Sequence, residues 1–466
     1  MKNWIINKET TNSGNETIQL SNTYFFHYSH DLKFTSGKSI LGNTFIIIGT
    51  VTSCSNEYQD VELILRNGSL KEFLEAKKYW GGRWIIFFNG VLYTDFCCVY
   101  GVFWHRKTNT VSNTFDVFEL LNIDTINFEI SNKYYLNWVV TPKTPFNDVY
   151  KLMPGTGLNF SEKSIELLDL DYAKDLNLPE KEVVASLSNC LRIESKSIQS
   201  KFKQVYVALS AGYDSRLIYS VFTSQDIKIK TYTHLFSSMS LEDAKIPARV
   251  NPENIKIFPK KYDAKKSLKF TNRIKNTVSD ADKGFYSRGQ WDFLREDEVV
   301  VRGGVLELAG LSSAHLEGRF ENFGESSADG KLFLYALKDF RQAQHDSMAD
   351  YINLYLKRNS NIRWSKQLYI DQRIAGWLSY IELGLDLIKG TSIHLGNSEY
   401  MINLMLSQSL KNMKIKSFHL DEMRSNKPDL LKIPFTDKSL SSKIKRIFSI
   451  QISKIFGEII GARIFH

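Results

Sequence analysis

The sequence has few cysteines and prolines and no long apolar run. Its 466 residues include four cysteines and nine prolines. Cys54, Cys97, Cys98 and Cys190 form no C-x-x-C pair and have no zinc-ligand spacing. Cys97 and Cys98 are adjacent in an apolar stretch, which predicts buried free thiols in a reducing compartment. No apolar run approaches the roughly 18 residues that a membrane span needs.

The start of the chain and its charge set further expectations. The first residues lack the apolar segment of a secretion signal, so we expect a cytoplasmic protein. The formal net charge is +9, which is compatible with an anionic partner such as a nucleotide. Over a chain of this length the same charge is also typical of an ordinary basic surface. We expect no nucleic-acid partner.

The N-terminal half has the pattern of short strands. Strands are predicted at Thr44–Thr52, Arg83–Phe88, Val91–Thr94 and Val99–Trp104. Asn89-Gly90 indicates a two-residue hairpin between two of them, and one helix is predicted around Ser69 to Tyr79. We therefore predict an α+β domain of antiparallel sheets over residues 1–172.

Residues 173–466 have a different pattern, in which strands alternate with helices. A helix is predicted over Lys181–Ile198 and another begins near Ser240, and beyond Lys331 the chain is predicted to be mostly helical. The predicted strands are Gln204–Leu209, Ile227–Phe236 and Val299–Gly304. This alternation predicts a parallel sheet that binds ligands at the carboxyl ends of its strands.

The second half is organised around one strand, loop and helix. The predicted strand ends at Leu209 and runs into Ser210, Ala211 and Gly212, and a helix is predicted to open at Asp214-Ser215. Small residues let the backbone approach an anion, and a helix start offers free N–H groups and the positive end of a dipole. The pattern predicts a phosphate site, although an ordinary strand-to-helix turn has the same outline.

The residues of this loop resemble a known signature. Ser-Ala-Gly-Tyr-Asp-Ser at 210–215 is similar to the Ser-Gly-Gly-x-Asp-Ser motif of N-type ATP pyrophosphatases. A Gly-Gly turn with an acid follows, and then a helical region that contains Tyr369–Trp377 and Asp386–Gly390. In this order the motifs resemble the asparagine synthetase B family. In that family a class II glutamine amidotransferase domain precedes an adenylate-forming synthetase domain.

The resemblance implies a fold for each half. Residues 1–172 would form an Ntn-hydrolase-like antiparallel-sheet domain, and residues 173–466 an adenine nucleotide α-hydrolase-like domain with a parallel sheet and a helical C-terminus. Trp80–Phe88, Tyr93–Asp95 and Lys151–Gly155 resemble amidotransferase segments. The family's glutaminase needs a cysteine directly after the initiator Met, and position 2 is lysine. We therefore expect the amidotransferase fold without glutaminase activity.

The resemblance also implies the roles of individual residues. The predicted ATP and pyrophosphate site consists of Leu209, Ser210, Ala211, Gly212, Tyr213, Asp214, Ser215 and Gly303. Asp214 and Glu307 are the candidate Mg²⁺ ligands, although Glu307 is also explained as a plain strand-end carboxylate. Gly304 falls where the family carries an acid. Lys438 is the candidate catalytic lysine for the charge on the acyl-adenylate, with a surface lysine as the alternative.

The implied function is an ATP-dependent carbon–nitrogen ligase of the asparagine synthase type. With ATP and Mg²⁺ it would adenylate a small-molecule or peptide carboxylate, release pyrophosphate and transfer ammonia or another amine. Aspartate, as in asparagine biosynthesis, is the family's default, and a sugar uronate or a peptide carboxylate are alternatives. Two other functions stay open: an intramolecular amide cyclase of the β-lactam or lasso-peptide type, and a non-catalytic homologue that binds nucleotide or a partner.

The C-terminal segment 438–466 is basic and amphipathic. Its isoleucines and phenylalanines fall on one helical stripe, and lysines and arginines surround them. Such a helix is typical of contact with an anionic membrane surface or a partner protein. A helix docked on its own domain has the same pattern.

Overall fold

The fold combines antiparallel and parallel sheets with helices. The computed structural model describes residues 3–8, 16–131, 136–235, 241–251, 255–259, 264–287, 291–310, 342–355, 362 and 364–435. Within these ranges the chain forms two antiparallel sheets, one parallel sheet and a set of helices. Lys438 and the basic segment 438–466 lie outside the described residues. Among the helices that are described, none is both long and apolar enough to cross a membrane.

Twelve strands are described in the N-terminal half. They are β1 Trp4–Asn7, β2 Glu16–Gln19, β3 Phe25–Tyr28, β4 Phe34–Lys38, β5 Thr44–Ser53, β6 Trp80–Phe88, β7 Val91–Thr94, β8 Phe103–His105, β9 Thr110–Ser112, β10 Val149–Lys151, β11 Thr156–Phe160 and β12 Ile165–Asp169. One sheet has the order β10-β8-β9-β1-β3-β2, and the other has the order β12-β11-β7-β6-β5-β4. Both are antiparallel, as the strand pattern predicts.

The period of two in β5 and β6 explains how these sheets pack. Ile46 and Ile48 share a buried cluster with Trp4 and Phe26 of the other sheet. Phe45, on the opposite face of β5, packs instead in a cluster with residues of the helices Val61–Asn67 and Leu70–Lys77. Because successive side chains point to opposite faces, one sheet can cover the other sheet and hold two helices at the same time.

Of two local predictions in this half, one is confirmed and the other is partly wrong. The hairpin at Asn89-Gly90 is confirmed, since both residues have positive φ and join β6 to β7. The strand predicted over Val99–Trp104 is wrong in its first part, because β8 begins only at Phe103. The buried Asp95 carboxylate accepts the backbone N–H groups of Val99 and Tyr100, and this holds the chain in a turn.

The parallel sheet of the C-terminal half contains five strands. They are β13 Gln204–Ala208, β14 Ile229–Leu235, β15 Ile255–Pro259, β16 Glu298–Arg302 and β17 Thr391–His394. Their order is β15-β14-β13-β16-β17, and every neighbouring pair is parallel. The predicted parallel sheet is thus confirmed. Sequence reasoning missed β17, which lies in a region expected to be helical.

Helices surround this sheet. Their bounds are Glu180–Lys201, Tyr213–Thr223, Leu241–Val250, Ala264–Ile274, Asp280–Tyr286, Gln342–Leu354, Trp364–Leu368, Ser379–Leu385, Glu399–Leu406, Leu410–Lys414 and Ser417–Asn426, with a π-helix over Tyr369–Leu378. The 3₁₀ segment Leu306–Gly310 follows β16, and a short helix over Asp116–Leu120 belongs to the N-terminal half. A further 3₁₀ turn spans Pro428–Lys432.

One hydrophobic cluster crosses between the two halves. It contains Phe103 and Phe115 from the first half together with Val207 and Tyr380 from the second, whereas two other clusters of the described residues lie within the first half. Contact between the halves is also ionic, because Arg83 of β6 pairs with Asp386 and Glu382.

Candidate functional site

The site lies where the parallel sheet changes direction. The chain moves outward from β13 to β14 and β15, and then returns to the other side of β13 to form β16 and β17. The loops after β13 and β16 therefore diverge from a crevice at the carboxyl edge of the sheet, which is where open α/β sheets bind ligands. Residues 209–212 and 303–305 form these two loops.

Hydroxyl groups close the first loop on itself. Ser210 Oγ lies 2.9 Å from Ser215 Oγ, and the backbone N–H of Gly212 donates to Ser210 Oγ at 3.1 Å. The N–H of Ser210 donates to Ser215 Oγ at 3.1 Å. Ala211 is absent from the residues with positive φ, so an alanine fits where the resembling motif has glycine. The helix begins at Tyr213, one residue before the predicted position.

The second loop packs directly against the first. A Cβ atom added at Gly303 would lie 2.7 Å from the Cβ of Asp214. Only a glycine allows this approach without a shift of the backbone or the helix start. At Gly304 an added Cβ would lie 3.0 Å from ring atoms of His394, at the end of β17. The structure thus brings together two segments that lie about ninety residues apart in the chain.

Asp214 has a basic partner that the sequence did not indicate. His419, on the helix Ser417–Asn426, places Nε2 at 2.8 Å from Asp214 Oδ1. Burial raises the pKa of Asp214, but the hydrogen bond from His419 and the charges of His419 and Lys416 outweigh it and leave the pKa below its usual value. The Lys416 Nζ atom also lies 4.8 Å from the centre of the Tyr213 ring.

Glu307 lies in the same electrostatic field. The Tyr369 hydroxyl, from the π-helix, donates to Glu307 Oε2. Burial raises the pKa of Glu307, and the negative charge of Asp214 raises it further, while Arg373, Tyr369 and Lys416 lower it in part. Asp214 therefore lies near enough to Glu307 for its negative charge to act on that carboxyl group.

These two carboxyl groups fit magnesium only in a particular way. Among the described residues no group of three or more His, Cys, Asp or Glu side chains is arranged to hold a metal ion. Magnesium in nucleotide sites, however, is commonly held by one or two carboxylates together with substrate phosphates and water. Asp214 and Glu307 suit that donor set, and they do not suit a metal site made entirely of protein ligands.

An aromatic and cationic stack covers the outer side of the loop. The Tyr213 ring stacks on Phe435 with centroids 4.0 Å apart and planes 4° apart. The Arg216 guanidinium lies 4.1 Å from the Phe435 ring and donates to the carbonyl groups of Leu430, Ile433 and Pro434. Segment 428–435 is thereby fixed against the loop.

Most predicted site residues lie together, and one lies beyond the described chain. Leu209 to Ser215, Gly303 and Glu307 surround the crevice, whereas nothing is described for Lys438. His419, Lys416 and Arg373 are the neighbours that sequence reasoning missed. His419 is separated from Asp214 by 205 residues, so no local pattern could have indicated the pair.

Comparison with known proteins adds no relative. The chain matches no protein-family model, and no curated protein matches it. The physical arrangement of the site is therefore the basis on which a function is inferred.

Proposed function

We propose that the protein is an ATP-dependent ligase that forms amides by adenylation. ATP would bind at Ser210–Ser215, a substrate carboxylate would attack its α-phosphorus, and pyrophosphate would leave. Ammonia or an amine would then attack the acyl-adenylate carbon, and AMP would leave as the amide bond forms. This reaction is that of the asparagine synthetase B family, to which the motifs have a resemblance.

One observation carries the proposal. The loop after β13 and the turn after β16 meet at the topological switch point, with Gly303 packed on Asp214. A small-residue loop that opens a helix of 11 residues would surround phosphate oxygens with N–H and O–H donors. Lys416 and Arg373 would add positive charge where the leaving pyrophosphate accumulates negative charge.

Asp214 and Glu307 are the residues that would hold the proposed magnesium ion. When bound, it would neutralise charge on the phosphates and the leaving pyrophosphate. The residues themselves have a separate task. His419 holds one oxygen of Asp214, and Tyr369 holds one oxygen of Glu307, so each carboxyl group has a fixed orientation.

The N-terminal half is proposed to lack glutaminase activity. All four cysteines are buried. Burial raises the pKa of Cys97 and of Cys98, and a hydrogen bond with Cys190 together with burial raises that of Cys54. Because the thiolate is the nucleophile, none of these groups suits attack on glutamine. The nitrogen donor would then be free ammonia or an amine.

A second candidate is a nucleotide-binding protein without catalysis. It is favoured by the hydrogen bonds that already occupy Asp214 and Glu307, the two acids proposed for magnesium. The two candidates differ in a measurable way, because both bind ATP and only the ligase releases pyrophosphate.

The test measures pyrophosphate release and ATP binding in the same preparation. The protein is incubated with ATP, Mg²⁺ and aspartate, a sugar uronate or a peptide carboxylate, with ammonium as the nitrogen source. Asp214→Asn should lower the rate on the order of a hundredfold or more. Asp226→Asn is the matched control, because Asp226 is exposed just after the same helix and has a positive φ that asparagine tolerates.

The outcomes separate the candidates. Pyrophosphate release that depends on Asp214 and on a carboxylate supports the ligase. ATP binding without release for any carboxylate supports the non-catalytic protein. Absence of ATP binding in the wild type would contradict both candidates.

A further inference from the structure

A second cavity lies between the two halves, away from the phosphate loop. Its volume is about 630 Å³, within the range of about 300–1,000 Å³ that is typical of small-molecule sites. Thr50 and Arg83 line it from the N-terminal sheet, and Asp386, Lys389 and Thr391 line it from the C-terminal half. None of the residues of the ATP site proposed above borders this cavity.

The wall of the cavity is rigid and polar. Arg83 is fixed by an ion pair of 2.9 Å with Asp386, and its guanidinium lies 5.3 Å from the centre of the Tyr100 ring. Arg83 also pairs with the fully buried Glu382. Arg83 is thus held in one orientation, and a pre-organised wall lowers the ordering cost of binding a ligand.

The charges around the cavity do not cancel. Its lining contains the basic residues Lys33, Arg83, Lys269 and Lys389 and the acidic residues Asp31, Glu296 and Asp386. Arg83 pairs with Asp386, and Lys33 pairs with Glu296 at 2.7 Å. Lys269 and Lys389 are exposed and make no ion pair with any described residue, whereas Asp31 lies 3.0 Å from His30. The unpaired charge at the cavity is therefore positive.

The remaining lining is apolar on one side. Leu385, Leu387 and Ile388 contribute side chains to the cavity from one continuous segment. A ligand that fills the space would thus place an apolar portion against these residues and an anionic group beside the two lysines. Thr50 and Thr391 add hydroxyl groups of the kind that carboxylate and phosphate oxygens accept from.

We propose that the cavity between the halves binds a small organic anion, with its carboxylate or phosphate held by Lys269 and Lys389. The site would be distinct from the ATP site, and it does not depend on the ligase reaction. Cavities at the junction of two halves are common ligand sites, and the N-terminal half would contribute to such a site without any chemistry of its own.

The test uses two anionic probes on the full chain without nucleotide. Succinate represents the carboxylates and glycerol phosphate represents the phosphates, each titrated by calorimetry against sodium chloride of equal ionic strength. Hydrogen–deuterium exchange locates the bound probe through slower exchange in residues 48–50 and 385–392. The double variant Lys269→Ala/Lys389→Ala should bind the probe at least about tenfold more weakly. The control Lys265→Ala, on the helix that carries Lys269 but outside the cavity, should bind the probe as the wild type does.

Each result decides the matter. If either probe binds more tightly than sodium chloride, and the double variant loses that binding, the result supports the site and identifies the anionic group. The proposal is overturned if neither probe binds more than sodium chloride does, or if the double variant binds as well as the wild type. Equal binding of L-glutamine, which has no net charge, would also overturn it. Because no nucleotide is present, failure here leaves the ligase proposal untouched.

Discussion

A buried carboxyl group between the two halves should make the protein less stable as the pH rises. Glu194, on the helix Glu180–Lys201, is fully buried and accepts hydrogen bonds from Thr52 Oγ1 at 2.8 Å and from the Gly396 N–H at 2.9 Å. Burial raises the pKa of Glu194 from 4.5 to about 7, against the effect of these two hydrogen bonds. The folded state therefore holds this proton more tightly than the unfolded state does.

The sign and size of the effect follow from that difference. Below about pH 4.5 the group is protonated in both states and costs nothing. As the pH rises, the unfolded chain loses this proton before the folded protein does. Folding must then either take up a proton or bury a charge, and both lower the stability of the folded state. Raising this pKa from 4.5 to about 7 corresponds to about 3 kcal/mol in the limit, and most of that change falls between pH 5 and pH 8.

Substitution by glutamine removes this titration. Glu194→Gln resembles the protonated acid in shape and keeps an acceptor for the Gly396 N–H. We expect its free energy of unfolding, relative to that of the wild type, to increase by about 2–3 kcal/mol from pH 5 to pH 8, because only the wild type loses stability as the pH rises. Urea unfolding of both proteins at several pH values measures the difference in their free energies of unfolding. The contributions of all other titrating groups are the same in the two proteins and cancel in this difference.

The matched control is Glu182→Gln, an exposed position on the same helix. Its difference from the wild type should stay constant with pH. If the difference for Glu194→Gln were also constant between pH 5 and pH 8, or moved in the opposite direction, the inferred raised pKa of the buried Glu194 would be refuted.

Three further predictions concern the carboxyl edge of the sheet. Gly303→Ala should abolish ATP binding in a calorimetric titration, because its Cβ would lie 2.7 Å from the Cβ of Asp214. Gly284→Ala, whose added Cβ would have nothing within 4 Å, should bind ATP normally. Equal binding by the two variants would contradict the close packing at Gly303. Glu382→Gln should destabilise the fold by about 3–5 kcal/mol in urea unfolding, since it removes the carboxylate of Arg302 and one of the two carboxylates of Arg83. A loss below ~1 kcal/mol would argue against a central role. Tyr369→Phe removes a hydrogen bond that lowers the pKa of Glu307, so the acidic limb of the pH profile of pyrophosphate release should move to higher pH. If the limb does not move, the ionisation of Glu307 does not control the reaction.

Local patterns were enough for several elements of the fold. The strand Val91–Thr94 was predicted to the residue, and the Asn89-Gly90 hairpin was predicted from its two residues alone. These features succeed because steric preferences at positive φ and the alternation of side chains act within a few residues. The strand predicted from Val99 failed because the buried Asp95 carboxylate, only a few residues earlier, accepts the N–H groups of residues 99 and 100 and holds them in a turn.

The short strand β17 shows a second limit. Residues 391–394 form a run of only four residues between Gly390 and Gly396, which is too short for its period to distinguish a strand from a turn. Pairing with β16 makes them a strand, because Val299 to Arg302 offer a free row of backbone groups. This strand also brings His394 beside Gly304.

For the candidate site, the sequence by itself determined the loop: small residues after an apolar strand, two serines that close it, and an aspartate in the first turn of a helix. Short-range sterics and hydrogen bonding are sufficient for that much. The resemblance of the motifs pointed to Gly303 and Glu307, whereas the tertiary structure alone showed that Lys416 and His419 lie beside the loop, because helix packing brings them there. A side chain that meets its partner across 205 residues leaves no periodic signal in the chain, so its charge and its role become visible only when the sheet is assembled.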